Sequence, residues 1–270
     1  MPWRNSTYRL TMIGLALLCA ALGVVVYADL IGVAWRGSML GADISVARDL
    51  GSRWLATGSM YLPWQLTGPY SVTPRSLAEV PGLYPPADGP LFAVLALLPY
   101  PAVAVAWWIV PAAAVVDSLR HWRPAPWSWP LLALIVVWPT SAVIVVSGGT
   151  TLWAVAALAL CLRGQGWAAA VFLAKPSFLP MAILGVTSRA AWAAGIAFIA
   201  LTVVGPWRDY VAVVTNAQGL DYQLWSLPLL AAPAIAWAAR TTRPGGVGEL
   251  GRPDRMDTGP SGDNGVLAGT

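Results

Sequence analysis

Charge is what this sequence has least of: Asp, Glu, Lys and Arg together make up 10% of its 270 residues, against ~25% in a typical soluble domain. A water-facing globule cannot be surfaced with so few charges. Lysine occurs once, as Lys175, among fifteen arginines, and histidine once, as His121. A single histidine in a basic turn, with no ligand partner in spacing, excludes a histidine metal centre and reads as solvated loop. The two cysteines, Cys19 and Cys161, both lie inside apolar runs, which excludes a disulfide framework or CxxC site. No Walker loop, GxGxxG fingerprint, GxSxG elbow or HExxH pattern is present, so neither a metal nor a cofactor is expected. The net charge of +4 is scattered singly and forms no patch for nucleic acid.

What is abundant is apolar sequence, 57% of the chain, with 16 Trp, 23 Pro and 26 Gly. Runs of about 20 apolar residues are what a membrane-spanning helix needs, so the expected fold is an all-α polytopic membrane protein. Arginines mark the cytoplasmic ends of spans, because positive loops resist translocation. On that rule the first span covers about Leu10 to Val33 and a long polar, Pro-rich extracytoplasmic loop runs from Arg36 to Gly89. Val26-Tyr27-Ala28 also gives the amino terminus the outline of a signal peptide, but the run is long and further spans follow. Pro90 to Val116 returns to the basic turn Arg120–Arg123, Trp129 to Val146 rises, and Thr151 to Leu162 descends to Arg163. Gly164 to Arg189, broken at Lys175-Pro176, suits a hairpin of two half-spans. Ala190 to Pro206 and Gln223 to Ala239 complete about eight membrane segments with both termini inside, residues 1–240 forming one domain. Residues 241–270, rich in Gly, Pro and Asp, read as a disordered cytoplasmic tail.

Long loops in compact domains tend to be functional, and ionisable groups beside the membrane are functional candidates by default. In the loop, Ile44, Ala47, Leu50, Gly51, Trp54 and Leu55 share one helical face, with Arg48, Asp49, Ser52 and Arg53 opposite, which predicts an interfacial helix. Asp43 opens it at the water–lipid boundary, either as a reactive carboxylate or as a helix cap. Asp49 and Arg53 form a surface i,i+4 pair. Asp88, in Tyr84-Pro85-Pro86-Ala87-Asp88, supplies a second acid or a Pro-fixed turn. Asp29, near the end of the first span, binds a headgroup or a partner helix, or simply ends the helix. Lys175 lies where a broken helix offers an ammonium to a phosphate at headgroup level; the alternative is a snorkelling lysine.

Four stretches, in order, resemble the multi-span GT-C glycosyltransferases, most closely family 87, the polyprenyl-phosphate-mannose-dependent mannosyltransferases of actinobacteria. They are Asp43 through Gly58-Ser59-Met60-Tyr61; Leu83-Tyr84-Pro85-Pro86 with Leu97-Leu98-Pro99 and Trp107-Trp108; Ser147-Gly148-Gly149-Thr150, in the place of a Gly-Gln-x-Asn turn; and Leu173-Ala174-Lys175-Pro176. The likeness covers roughly residues 10 to 190. The chain departs from the pattern at Gly148 and Thr150 of the turn, where Gln and Asn are usual, and at Ile44 and Ala47, where aromatics are usual, and it has fewer spans than a usual member.

The resemblance implies transfer of a hexose, mannose in that family, from a polyprenyl phosphate to a lipid or glycan acceptor outside the plasma membrane of a bacterium, with inversion. It makes Asp43 the general base and Lys175 the phosphate-holding cation, with Arg36 and Arg53 as weaker candidates and Tyr84 and Asp88 contributing to substrate binding. Membrane lipids and the two substrates are the expected partners. A reading from a different class is a non-catalytic lipid-binding or assembly subunit built on the same helices.

Overall fold

The computed structural model describes residues 6–37, 39–72, 80–200, 205–218 and 227–241. Arg4, Glu79, Asp221, Arg243 and the expected tail beyond residue 241 lie outside the described residues. Almost everything described is helical. The chain opens with α1 (Ser6–Arg36), α2 (Ala42–Thr57), the single turn α3 (Pro63–Thr67) and strand β1 (Tyr70–Ser71). It continues through α4 (Asp88–Leu97), α5 (Tyr100–Trp122), α6 (Ser128–Val137), α7 (Pro139–Ser147) and α8 (Thr151–Leu162). Two 3-10 segments, Gly166–Ala174 and Pro176–Gly185, lead to α9 (Arg189–Ala200), α10 (Trp207–Asn216), β2 (Ala217–Gln218) and α11 (Leu227–Ala238).

Among the described residues α1 and α5 are long and apolar enough to cross a membrane, and α6 with α7 adds a third crossing if that bent pair is one span. The other apolar helices described are 10–12 residues long, about half of what a full span needs, so the eight segments expected from hydropathy are not established as crossings. Two of the expected spans are interrupted by proline. The expected span Pro90 to Val116 is two helices, α4 and α5, parted at Leu98-Pro99. The expected span Trp129 to Val146 is α6 and α7, bent by 62° at Trp138-Pro139. In both places proline removes a backbone donor and forces the residue before it out of helical geometry; Leu98 and Trp138 have ψ of 152° and 134°. Lys175-Pro176 breaks the chain in the same way, with Lys175 extended at ψ 120°, and the two 3-10 segments pack against each other.

The stretch 36–89 is not a plain loop. It carries α2, α3 and β1, and its core is Ile44, Leu50, Met60 and Tyr61, buried with Phe92 of α4, Trp107 of α5 and Val213 of α10. The apolar face of α2 is therefore covered by protein, with Gly51 against the Phe92 backbone, where an interfacial helix would have rested on lipid. Arg48 is not on a solvent face either: its guanidinium donates to the carbonyls of Leu95 (3.1 Å), Ala96 (3.3 Å) and Leu98 (2.8 Å), satisfying the frayed end of α4.

A second link reaches far along the sequence. β1 pairs in parallel with β2, Tyr70 opposite Ala217. Gln65, with none of its surface exposed, accepts from the Leu62 and Gly82 backbone and donates to the Tyr70 hydroxyl and the Gly82 carbonyl. Tyr70 in turn donates to Val213 O, and Asn216 donates to Gln65 O. Every polar atom of the buried amide has a partner, the condition for a buried polar group to stabilise. A separate core joins α8, the 3-10 segments and α11 around Phe172, Phe178, Leu229 and Leu230.

Candidate functional site

The start of α2 is held against the end of α7. Gly41 and Gly148 both have positive φ, 66° and 75°, a region open to glycine without steric cost. The Gly41 N–H donates to Val146 O at 3.0 Å. The Gly148 carbonyl accepts from the Trp107 indole at 2.8 Å, and Trp108 donates to Val145 O at 2.7 Å. Side chains at these two glycines would run into Tyr100 and Ile44 respectively.

That clamp presents Asp43. Its carboxylate does not cap α2, which has no side-chain cap; Oδ2 instead accepts a 2.8 Å hydrogen bond from the Ser147 hydroxyl. Asp43 is exposed as a residue, yet protein crowded around its carboxyl pushes its pKa above the ordinary carboxylate value, with the Ser147 bond and the nearby Lys175 ammonium pulling it partly back. Asp43 and Lys175 feel each other's charge, but no ion pair closes between them. The ammonium lies 5.3 Å from the centre of the Phe178 ring, a cation–π contact, and has no hydrogen bond among the described residues.

Tyr84 completes the cluster. Its hydroxyl bonds Thr150 and lies within the electrostatic reach of both Asp43 and Asp88, and burial drives its pKa upward. Asp88 is the first residue of α4 and only 1% exposed. Its Oδ2 has no partner among the described residues, and burial pushes the group up to about 8, so it is largely neutral at pH 7. The Pro85 carbonyl accepts from the Asp88 N–H at 3.0 Å, so the Pro-fixed turn and the buried acid coexist.

The two arginines sit elsewhere. Arg36 is exposed and donates to Gly32 O within its own helix. Arg53 lies ten residues beyond Asp43, about 15 Å along α2, donates to Val80 O and is influenced by Asp49. Asp29 is exposed on α1, outside the cluster. Asp117, unremarked in the sequence, pairs with Arg163, ten residues along α5 from the Trp107 contact, and ties α5 to α8. His121 lies in the last turn of α5. Among the described residues no three of His, Cys, Asp and Glu are grouped to hold a metal ion. Ser147 and Thr150, whose motif alone carried no role, contact Asp43 and Tyr84 directly.

Comparison of the chain with protein-family models, curated proteins and solved structures returns no match.

Chemically, the cluster offers a carboxylate of raised basicity, a cation within its electrostatic reach, hydroxyls from Ser147, Thr150 and Tyr84, and a buried neutral acid. Such a set can take a proton from a hydroxyl and hold an anion in one place.

Proposed function

We propose that this chain is an inverting membrane glycosyltransferase that moves a hexose, mannose in the first instance, from a polyprenyl phosphate to a hydroxyl of a cell-envelope glycan or lipid, on the extracytoplasmic face of a bacterial plasma membrane. One observation carries the reading: four stretches separated by up to about 130 residues, those of Asp43, Tyr84, Ser147–Thr150 and Lys175, meet at one place.

In the proposed step the acceptor oxygen attacks C1 of the sugar from the face opposite the phosphate. The new C1–O bond forms as the bond from C1 to the phosphate oxygen breaks, its electron pair leaving on the polyprenyl phosphate. Asp43 takes the acceptor proton through the carboxyl oxygen not bonded to Ser147, and the raised basicity of the group suits it to that work. Lys175 stands against the charge that develops on the leaving phosphate, where a fixed cation in a water-poor setting is most effective. Ser147 holds the base in register.

The test is an assay of membranes containing the chain with labelled polyprenyl-phosphate mannose, comparing wild type with Asp43→Asn. Transfer falls by ~10²–10⁴ in the variant, the usual contribution of a positioned base, with the amount of inserted protein unchanged. Turnover retained in Asp43→Asn overturns the assignment of the base. Donor binding by the wild type without turnover favours the non-catalytic subunit.

A further inference from the structure

Helix α5, one of the two candidate spans, begins at the Asp43 end of the molecule, where the Tyr100 hydroxyl packs on Gly41. It ends about 35 Å further along, at Trp122. Four helices come together there around one small core: Trp122 of α5, Leu132 of α6, Ala159 of α8 and Ala236 of α11 are buried together. The chain leaving α5 runs antiparallel to the chain leaving α11, with Pro124 opposite Arg240. The Ala125 N–H donates to Ala239 O at 2.8 Å and the Thr241 N–H to Trp122 O at 3.2 Å. The Thr241 hydroxyl donates to Arg123 O at 2.8 Å. These bonds lay the backbone of Arg240 alongside Arg123, and Arg120 lies one turn back on the same helix.

The cations at this end are not balanced. Among the described residues its one acid is Asp117, and Arg163 pairs with that carboxylate. Arg120 and Arg123 are exposed and make no hydrogen bond or ion pair among the described residues. Arg240 is held in place: its guanidinium stacks 3.9 Å from the centre of the Trp237 ring and donates through Nη1 to Trp237 O at 2.8 Å, with further donors left over. Arg123 is also the one described residue other than glycine with positive φ, 48°. Glycine closes a helix there without steric cost, so the fold carries a guanidinium where its backbone geometry does not favour one.

Tryptophan marks the depth of this surface. Trp129 in the first turn of α6 and Trp237 in the last turn of α11 are 40% and 37% exposed, and indoles at the ends of apolar helices sit at headgroup level in a bilayer. Guanidinium forks match phosphate oxygens. A small soluble anion is best held in a closed pocket, whereas these guanidiniums lie open beside indoles, an arrangement that suits a phosphate carrying an apolar tail.

We infer that the adjoining ends of α5 and α11 form a docking site for the phosphate headgroup of an anionic membrane lipid, held by Arg120, Arg123 and Arg240. The site lies at the far end of α5 from Asp43 and does not depend on the transferase reading.

The experiment places the purified full chain in nanodiscs of phosphatidylcholine mixed with phosphatidylglycerol and counts, by native mass spectrometry, the lipids that stay bound on release. Wild type retains phosphatidylglycerol in preference to phosphatidylcholine, and the preference falls as salt is raised before release. Arg120→Gln and Arg123→Gln each lower it about fivefold. Arg208→Gln leaves it unchanged, since α10 packs with α3 and Tyr61 on the Asp43 side. Arg123→Lys, which keeps the charge and loses the fork, stays within about twofold of wild type. Equal retention of the two lipids by wild type, or an undiminished preference in the Arg120→Gln/Arg123→Gln double variant, overturns the site. Arg120→Gln, at an exposed helical position, decides alone if Arg123→Gln fails to insert. Thermal stabilisation of the purified chain by inorganic phosphate as large as that by phosphatidylglycerol assigns the arginines to a soluble anion and overturns the lipid.

Discussion

Helices α1 and α2 are both rich in apolar residues, yet it is chiefly α2 that buries them in protein. Of the 31 residues of α1 only Gly23 and Ala34 are buried in protein, whereas α2, half as long, buries Ala42, Ile44, Ala47, Leu50 and Gly51. On α1 Leu18 is 58% and Val25 68% exposed, while on α2 Ile44 and Leu50 have no exposed surface. The first helix is long and apolar enough to cross a bilayer, and most of its apolar side chains are not covered by protein. The second is apolar on one face because a protein core receives it, and that core fixes where Asp43 points. The same residue types therefore make one region long and apolar enough to cross a membrane and fix the local geometry of the other.

The largest effect that separates the two regions concerns Asp88. Its folded pKa, about 8, lies above the unfolded 3.8, so the folded state holds its proton more tightly and its stabilising contribution is complete below pH ~4. Stability then falls as pH rises, by roughly 1 kcal/mol per unit until about pH 8, and no further beyond. Thermal unfolding in detergent across this range reads the slope, and Asp88→Asn flattens it; an equal slope in the variant assigns the dependence to another group.

Next is Leu50→Ala, which opens a cavity in the core and lowers stability by ~2–5 kcal/mol. Leu18→Ala, where protein never enclosed the side chain, changes it by less than ~0.5 kcal/mol. Comparable losses at the two positions in the same denaturation assay would break the contrast between α1 and α2. Lys175→Gln weakens use of the phosphate donor by ~10–100-fold, the range for one charge-assisted contact, while Arg36→Gln stays near wild type. Donor kcat/KM values distinguish them, and the reverse order would move the phosphate site to the end of α1. The smallest expected change follows Ser147→Ala: a fall of ~10-fold in kcat, the value of about one hydrogen bond, with the acidic limb of the pH–rate profile displaced to higher pH. The direction follows from the bond itself, which lowers the Asp43 pKa and is lost in the variant.

The positions of chain breaks were legible because proline acts locally: Lys175-Pro176 reads as a break in the sequence and is one in the fold. At Pro99 and Pro139 the hydropathy run was continuous and concealed the same local rule. Asp43 and Lys175 were legible through scarcity, since in a chain with so few charges these two had positions that orientation of helices did not require. Asp88 was ambiguous for the opposite reason. A carboxylate after two prolines fits a solvated turn equally well, and only packing of α4 against α2 removes its water. The Gln65 network left no mark in the sequence, because a glutamine among loop residues has no pattern until Tyr70, Gly82 and Asn216 are brought around it.

What the sequence by itself determined is the solvent each region prefers and the places where a helix cannot continue, since hydropathy and backbone sterics belong to short windows of chain. Tertiary structure alone decided that α2 faces protein, that Arg48 closes the end of α4, and that Ser147 and Tyr84 stand with Asp43. Those outcomes depend on which distant segments pack together, and the energy that selects them comes from contacts between residues up to about 150 positions apart, such as Gln65 with Asn216.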